Sequence, residues 1–182
     1  MMDRWLGRFL DKMEELDLFE NTMLILLSDH GHAFGEHGFA GKVPAALYPE
    51  LTDIAYLIRH PGIKGTGETS DYFASTHDVA PTVLGALGIE PPSPMQGQDL
   101  TVLLDGGDPE QPREYFTAGY HDHVWARDQN YAMFADSSGS EAKLFDLRED
   151  PEMRKNIAGS NADVVRRMYE GYVMEDAGGP LS

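Results

Sequence analysis

Apolar positions recur every three or four residues over 3–18, where Trp5, Phe9, Met13 and Leu16 alternate with charged residues, and this spacing predicts an amphipathic helix. Asn21-Thr22 interrupts the pattern. Residues 23–27 are then continuously apolar, which predicts a parallel strand covered on both faces. A second strand-like run covers 54–59 and is closed by His60-Pro61-Gly62. Ser75 or Thr76 is placed to cap a helix over 77–87, with Pro81 near its first turn and Gly88 just past its end. Beyond a Pro-rich linker at 91–94 and a short helix over 99–104, the pattern changes. Short strand-like runs follow at 115–120, 131–135 and 143–147, separated by turn residues such as Asp136-Ser137-Ser138-Gly139. A helix over 162–173 comes last, and no internal repeat is present. The order is α/β first, then a small antiparallel sheet with a helix, with an expected division into 1–110 and 111–182.

Between the first two strands lies a long loop, 29–50, rich in glycine and histidine. A loop of that length inside a compact domain is usually functional. Asp29-His30 follows the apolar run at once, and in open parallel sheets ligands gather beyond the carboxyl ends of strands. The stretch Ser28-Asp29-His30-Gly31, Gly35-Glu36-His37-Gly38 and Lys42 combines metal-ligand types, flexible glycines and a cation. Such a set suits a multiply charged oxyanion. Taken alone, the residues leave other readings open. Asp29 can cap a turn while His30 is satisfied by backbone. His30, His32 and His37 can form a three-histidine zinc site, although their spacing is not that of a helix-borne zinc motif.

Composition narrows the class. The chain has 182 residues and 41% hydrophobic content, enough for one substantial core and too apolar for a disordered protein. Its formal charge of −17, from 31 acidic and 14 basic residues, disfavours nucleic acid and anionic membrane surfaces as partners. It fits either a solvated acidic surface or adaptation to high salt. An anionic substrate would then depend on local cations: a metal, Lys42 and Arg127. The absence of cysteine excludes disulfides within these residues. No apolar run is long enough to span a bilayer, and no signal-peptide pattern opens the chain. Cytoplasm is therefore the favoured expectation, although the first residue of a fragment says nothing about export of its parent.

Several of these motifs occur together, and in order, in one known family. Ser28 to Gly31, Gly35 to Gly38 and Lys42 resemble the C-terminal metal-and-anion motif of sulfatases in the alkaline-phosphatase superfamily. Asp78-Val79-Ala80-Pro81-Thr82 resembles the family's Asp-x-x-Pro-Thr helix start, and Gly97-Gln98-Asp99-Leu100 its Gly-x-x-Leu. Leu144-Phe145-Asp146-Leu147, Asp150-Pro151 and Asn156-Ile157-Ala158 resemble its closing motifs. The resemblance covers roughly 3–158. It implies a fragment of the alkaline-phosphatase-like three-layer α/β/α fold, followed by a small antiparallel sheet with a C-terminal helix. It also implies Asp29 and His30 as ligands of a divalent cation, calcium first, with manganese or zinc possible. Lys42 is implied as the cation that neutralises a sulfate oxygen, and His37 as a catalytic or loop-orienting group. Tyr120-His121-Asp122-His123 can rim the pocket, with His121 and His123 touching substrate. Asp78, Asp146 and Asp150 are expected to be structural and His77 to be packing.

The family's remaining chemistry is not in these residues. Its nucleophile is a formylglycine made from a cysteine or serine motif, accompanied by paired N-terminal aspartates, and neither motif occurs here. The expectation is the C-terminal part of a metal-dependent sulfate-ester hydrolase, inactive alone, acting on a small-molecule or saccharide sulfate. The N-terminal half of the enzyme would be its partner if the protein is split. Exposed strand faces would favour self-association. The alternatives are a phosphonate monoester or phosphodiester hydrolase of the same superfamily, and a non-catalytic remnant or interaction subunit.

Overall fold

In chain order the helices and strands are α1 (Met2–Glu15), β1 (Leu24–Leu27), β2 (Ala33–Phe34), β3 (Ala40–Gly41), α2 (Pro49–Thr52), β4 (Tyr56–Arg59), α3 (Val79–Ala86), α4 (Thr101–Leu104), β5 (Tyr115–Tyr120), β6 (His123–Asp128), β7 (Tyr131–Asp136), β8 (Lys143–Asp146) and α5 (Ala162–Met168). The computed structural model describes residues 1–63 and 67–181. They form two compact units: Met1–Leu27 with Ala55–Pro112, and Ser28–Ile54 with the chain from Arg113 onward. The loop therefore does not group with the rest of the first 110 residues, as the sequence pattern suggested. Its Ala33, Leu47 and Leu51 share a core with Trp125, Phe134 and Phe145 of the later sheet.

In the first unit, α1 keeps the expected apolar stripe, but only Met13 on it is buried. Trp5, Phe9 and Leu16 remain more than half exposed. β1 pairs with β4 in an antiparallel ribbon, Leu24 opposite Arg59 and Leu27 opposite Tyr56. Among the described residues the neighbour of β1 is antiparallel, where the apolar run led to the expectation of a parallel one. An unalternating run reports the burial a strand calls for, not the direction of its neighbour. No residue of either strand is fully buried.

The Asp78 motif closes this unit locally. Ser75 Oγ accepts the His77 N–H at 3.3 Å, and Asp78 Oδ2 accepts the Ser75 N–H at 2.7 Å, a reciprocal cap ahead of α3. The other Asp78 oxygen accepts the Gln98 N–H at 2.8 Å, and Thr82 Oγ1 accepts the Leu100 N–H at 3.0 Å. Two motifs nearly twenty residues apart are thus one latch. A side chain at Gly97 would place Cβ 1.9 Å from the His77 carbonyl oxygen, so only glycine fits there. Asp78 is fully buried and structural, as expected.

The second unit is built on an antiparallel sheet of order β5-β6-β7-β8. Trp125 faces Phe134 and Met133 faces Leu144 in the ladder. Successive side chains point to opposite faces. Trp125, Ala132, Phe134 and Phe145 pack toward the loop, while Ala126, Met133, Ala135 and Leu144 pack toward Met168 and Val173. Both faces are covered, which explains why β6 and β7 are buried almost without alternation. α5 continues as a π-helical turn, Tyr169–Met174. Tyr172 within it donates to Asp128 at 3.1 Å, and Tyr115 stacks on Tyr172 at 4.1 Å.

Candidate active site

The Asp29-His30 pair is held by its own backbone. Ser28 Oγ donates to the His30 carbonyl at 2.7 Å, and the Gly31 N–H donates to the Leu51 carbonyl at 2.9 Å. A Cβ on Gly31 would fall 1.9 Å from the Glu50 carbonyl oxygen, so the glycine is what lets the loop close on α2. His30 Nδ1 lies 2.7 Å from the Gly31 carbonyl. A carbonyl can only accept, so Nδ1 is the donor in this contact, and in the neutral ring Nε2 is the nitrogen that bears the lone pair. That Nε2 lies 3.5 Å from Asp29 Oδ2, whose side chain is 86% exposed. The other Asp29 oxygen accepts the His30 N–H at 3.0 Å.

Asp29 accepts the N–H of its neighbour and His30 is bonded to backbone, while Asp29 Oδ2 and His30 Nε2 lie side by side. A carboxylate oxygen and a neutral imidazole nitrogen with its tautomer fixed by a carbonyl fit a divalent cation. Among the described residues no group of three or more His, Cys, Asp or Glu gathers around a common point.

The three-histidine alternative is overturned. His37 Nε2 is taken up 2.7 Å from the Glu152 carbonyl, and its ring lies flat on Tyr48 at 3.9 Å and 5°. Its Nδ1 lies 3.1 Å from Glu50 Oε1 and forms no hydrogen bond there. His37 adopts φ +52°, an uncommon conformation for a non-glycine residue. His32 is exposed, its ring 4.9 Å from Phe34. Every described contact of His37 is structural: it pins the loop to the segment before Arg154. Nearby, Glu36 is held below the usual carboxylate range by its own backbone N–H and that of Phe34.

Lys42 leaves the short strand β3 and sets its ammonium 4.6 Å from the centre of the Tyr120 ring. Tyr120 ends β5 and faces His123 across the β5–β6 hairpin. His121 at the hairpin tip has φ +55°, and His123 Nδ1 lies 2.9 Å from Asp122 Oδ1. His121 and His123 line one cavity of about 610 Å³ together with Gly119 and Ser137. Arg127, a candidate local cation by sequence, is paired with Asp53 at 3.0 Å, so its charge is already matched. Asp146 accepts from the Arg148 side chain at 2.9 and 2.7 Å, which holds its carboxyl below the usual range. Asp150 accepts the N–H groups of Arg154 and Lys155, and Asn156 Oδ1 those of Leu144 and Ala158. These closing motifs are turn-builders. Tyr48, which seats His37, belongs to no motif and carries no sequence signal beyond being aromatic.

The family model described as Sulfatase matches residues 1–89. An ulvan-active sulfatase from Formosa agariphila is 30% identical over 167 residues, covering 86% of this chain and 32% of that enzyme. A solved structure in complex with its substrate D-glucosamine-2-N,6-O-disulfate has a TM-score of 0.80 at 28% identity, covering 96% of this chain and 37% of the other. The phosphonate monoester hydrolase of Agrobacterium radiobacter has a TM-score of 0.80 at 25% identity, covering 97% and 38%. The chain spans about a third of the length of the curated relatives it matches, in their C-terminal portion.

Proposed function

We propose that this chain, which belongs to the sulfatase family of the alkaline-phosphatase superfamily, supplies the cation-binding and anion-facing part of a hydrolase of sulfate esters. The observation that carries the reading is the Asp29 Oδ2–His30 Nε2 pair, 3.5 Å apart, with the imidazole proton committed to Gly31. Asp29 and His30 would hold a divalent cation, calcium for preference because one ligand is a hard carboxylate oxygen. Such an ion supplies charge stabilisation to the oxygens of a bound ester. Lys42 places a second positive charge for the non-bridging oxygens, and preorganised charges of this kind act mainly on the transition state. His37 keeps the loop in register by its hydrogen bond to the Glu152 carbonyl and its stacking on Tyr48. The nucleophile, a formylglycine by family resemblance, comes from sequence outside these residues.

The substrate class is a sulfated saccharide. Support comes from relatives named for N-acetylglucosamine-6-O-sulfate and ulvan, and from the neighbour solved with a glucosamine disulfate. His121 and His123, lining one cavity, are the side chains offered to the organic part of the substrate. A second reading, phosphonate monoester hydrolysis, is favoured by the neighbour from Agrobacterium radiobacter. The deciding experiment compares aryl and saccharide sulfates with aryl phosphonates, using the full-length protein that contains this sequence and the 182-residue chain. Sulfate turnover in the former, lost in Asp29→Ala, with none in the latter, is expected. Preferential phosphonate turnover selects the second reading.

A further inference from the structure

The chain carries 31 acidic residues against 14 basic ones, and several of the described cations are paired with a carboxylate. Lys12 pairs with Glu15, Arg148 with Asp146, Arg154 with Glu152 and Arg167 with Asp128. Lys42 does not. Among the described residues it forms no ion pair, and its ammonium rests 4.6 Å from the Tyr120 ring centre. A carboxylate partner would fix the ammonium but cancel its charge. An aromatic face attracts the cation through the ring quadrupole and leaves the charge uncancelled. It also restricts a long, flexible stem that otherwise samples many rotamers.

From this contact we infer that Tyr120 is a positioning residue for Lys42, holding the ammonium ready for an oxyanion. The ring is well anchored for that role. Tyr120 pairs with His123 at the end of a six-residue strand and packs on the core formed by Trp125, Phe134 and Leu47. Lys42, by contrast, follows a strand of two residues whose last member, Gly41, has φ +89°. The sheet thus sets where the loop's cation sits. The inference rests on the reading of Lys42 as an oxyanion contact.

The test uses the 182-residue chain with its five lysines, Lys12, Lys42, Lys64, Lys143 and Lys155, dimethylated with ¹³C, a modification that keeps their charge. In the wild-type chain the Lys42 methyl signal is expected upfield, shifted by the ring current of Tyr120. Tyr120→Phe retains the shift, and Tyr120→Leu moves the signal to the position of exposed Lys12. Lys143, whose ammonium lies 5.1 Å from the Phe134 ring centre, keeps its own shift throughout and reports that the sheet is still folded. Titration with inorganic sulfate should perturb Lys42, at about two- to fivefold higher concentration in Tyr120→Leu than in wild type or Tyr120→Phe. An unshifted Lys42 in the wild-type chain overturns the inference. So does a sulfate response that Tyr120→Leu leaves unchanged. If Lys42 ignores sulfate in all three proteins, the oxyanion reading falls and takes the inference with it. An intact wild-type response separates that failure from the other two.

Discussion

Leu26 and Leu57 are direct partners across the β1–β4 ribbon, and they remain 40% and 56% exposed. Directly opposed residues point to the same face of an antiparallel pair, so together they form an apolar spot on a two-stranded sheet. Two strands alone are marginal in water. We expect the isolated chain to self-associate through this face, and Leu26→Thr with Leu57→Thr to lower the association constant. Sedimentation velocity over a range of concentrations would show it. Identical, strictly monomeric behaviour of both proteins would remove the argument.

Asp29 and His30 alone should bind divalent cations weakly, with a dissociation constant on the order of 10⁻³ M or above, the range of sites poor in charged ligands. Titration calorimetry with calcium and manganese should give a signal that Asp29→Ala abolishes and His32→Ala leaves intact. Binding that survives Asp29→Ala would place the ion elsewhere.

Gly31→Ala should destabilise the loop by about 1–3 kcal/mol, the usual cost of forcing an extra carbon into packed structure. Here the new atom would lie 1.9 Å from a backbone carbonyl, which cannot swing aside as a side chain can. Urea unfolding followed by tryptophan fluorescence reads this directly, since Trp125 lies in the core that the loop covers. An unchanged midpoint would mean that the approach of Gly31 to Glu50 is not needed.

Burial pushes the Tyr115 hydroxyl up to about 12 from an ordinary value of 10.0, helped by the Asp176 carboxylate that it donates to at 3.2 Å. A group whose folded pKa is raised contributes stability that is complete below its unfolded pKa and lost as pH climbs to the folded one. The chain should therefore lose stability between pH 10 and about 12, and Tyr115→Phe should lose less over that window. Chemical denaturation at stepped pH measures the difference. Parallel slopes for the two proteins would show that this phenol is not a contributor.

Much of the architecture was legible because it is periodic or capped. α1 announces itself by an apolar stripe and α3 by a capping residue before it and Gly88 after it, and β5, β7 and β8 by aromatic and aliphatic runs between turns. β6 was missed because its run opens on His123 and closes on Arg127-Asp128, so its apolar middle is only Val124-Trp125-Ala126. The direction of β4 beside β1 depends on the route of the intervening chain, which no local pattern encodes. At the site, the chemistry of Asp29, His30 and Lys42 could be read from residue type and order. The place of His37 could not: its partner at Glu152 is a backbone carbonyl, and a carbonyl has no side-chain signature.

That contact joins residues 115 positions apart. Leu47 and Leu51 likewise find their core neighbours at Trp125, Phe134 and Phe145. During synthesis the segment bearing Asp29 and Lys42 therefore emerges well before the surface that shapes it. It waits unsupported until the sheet and Glu152 have been made, and contacts between such distant residues form slowly. A chain that ended before the sheet would carry the motif and yet leave it without a mould.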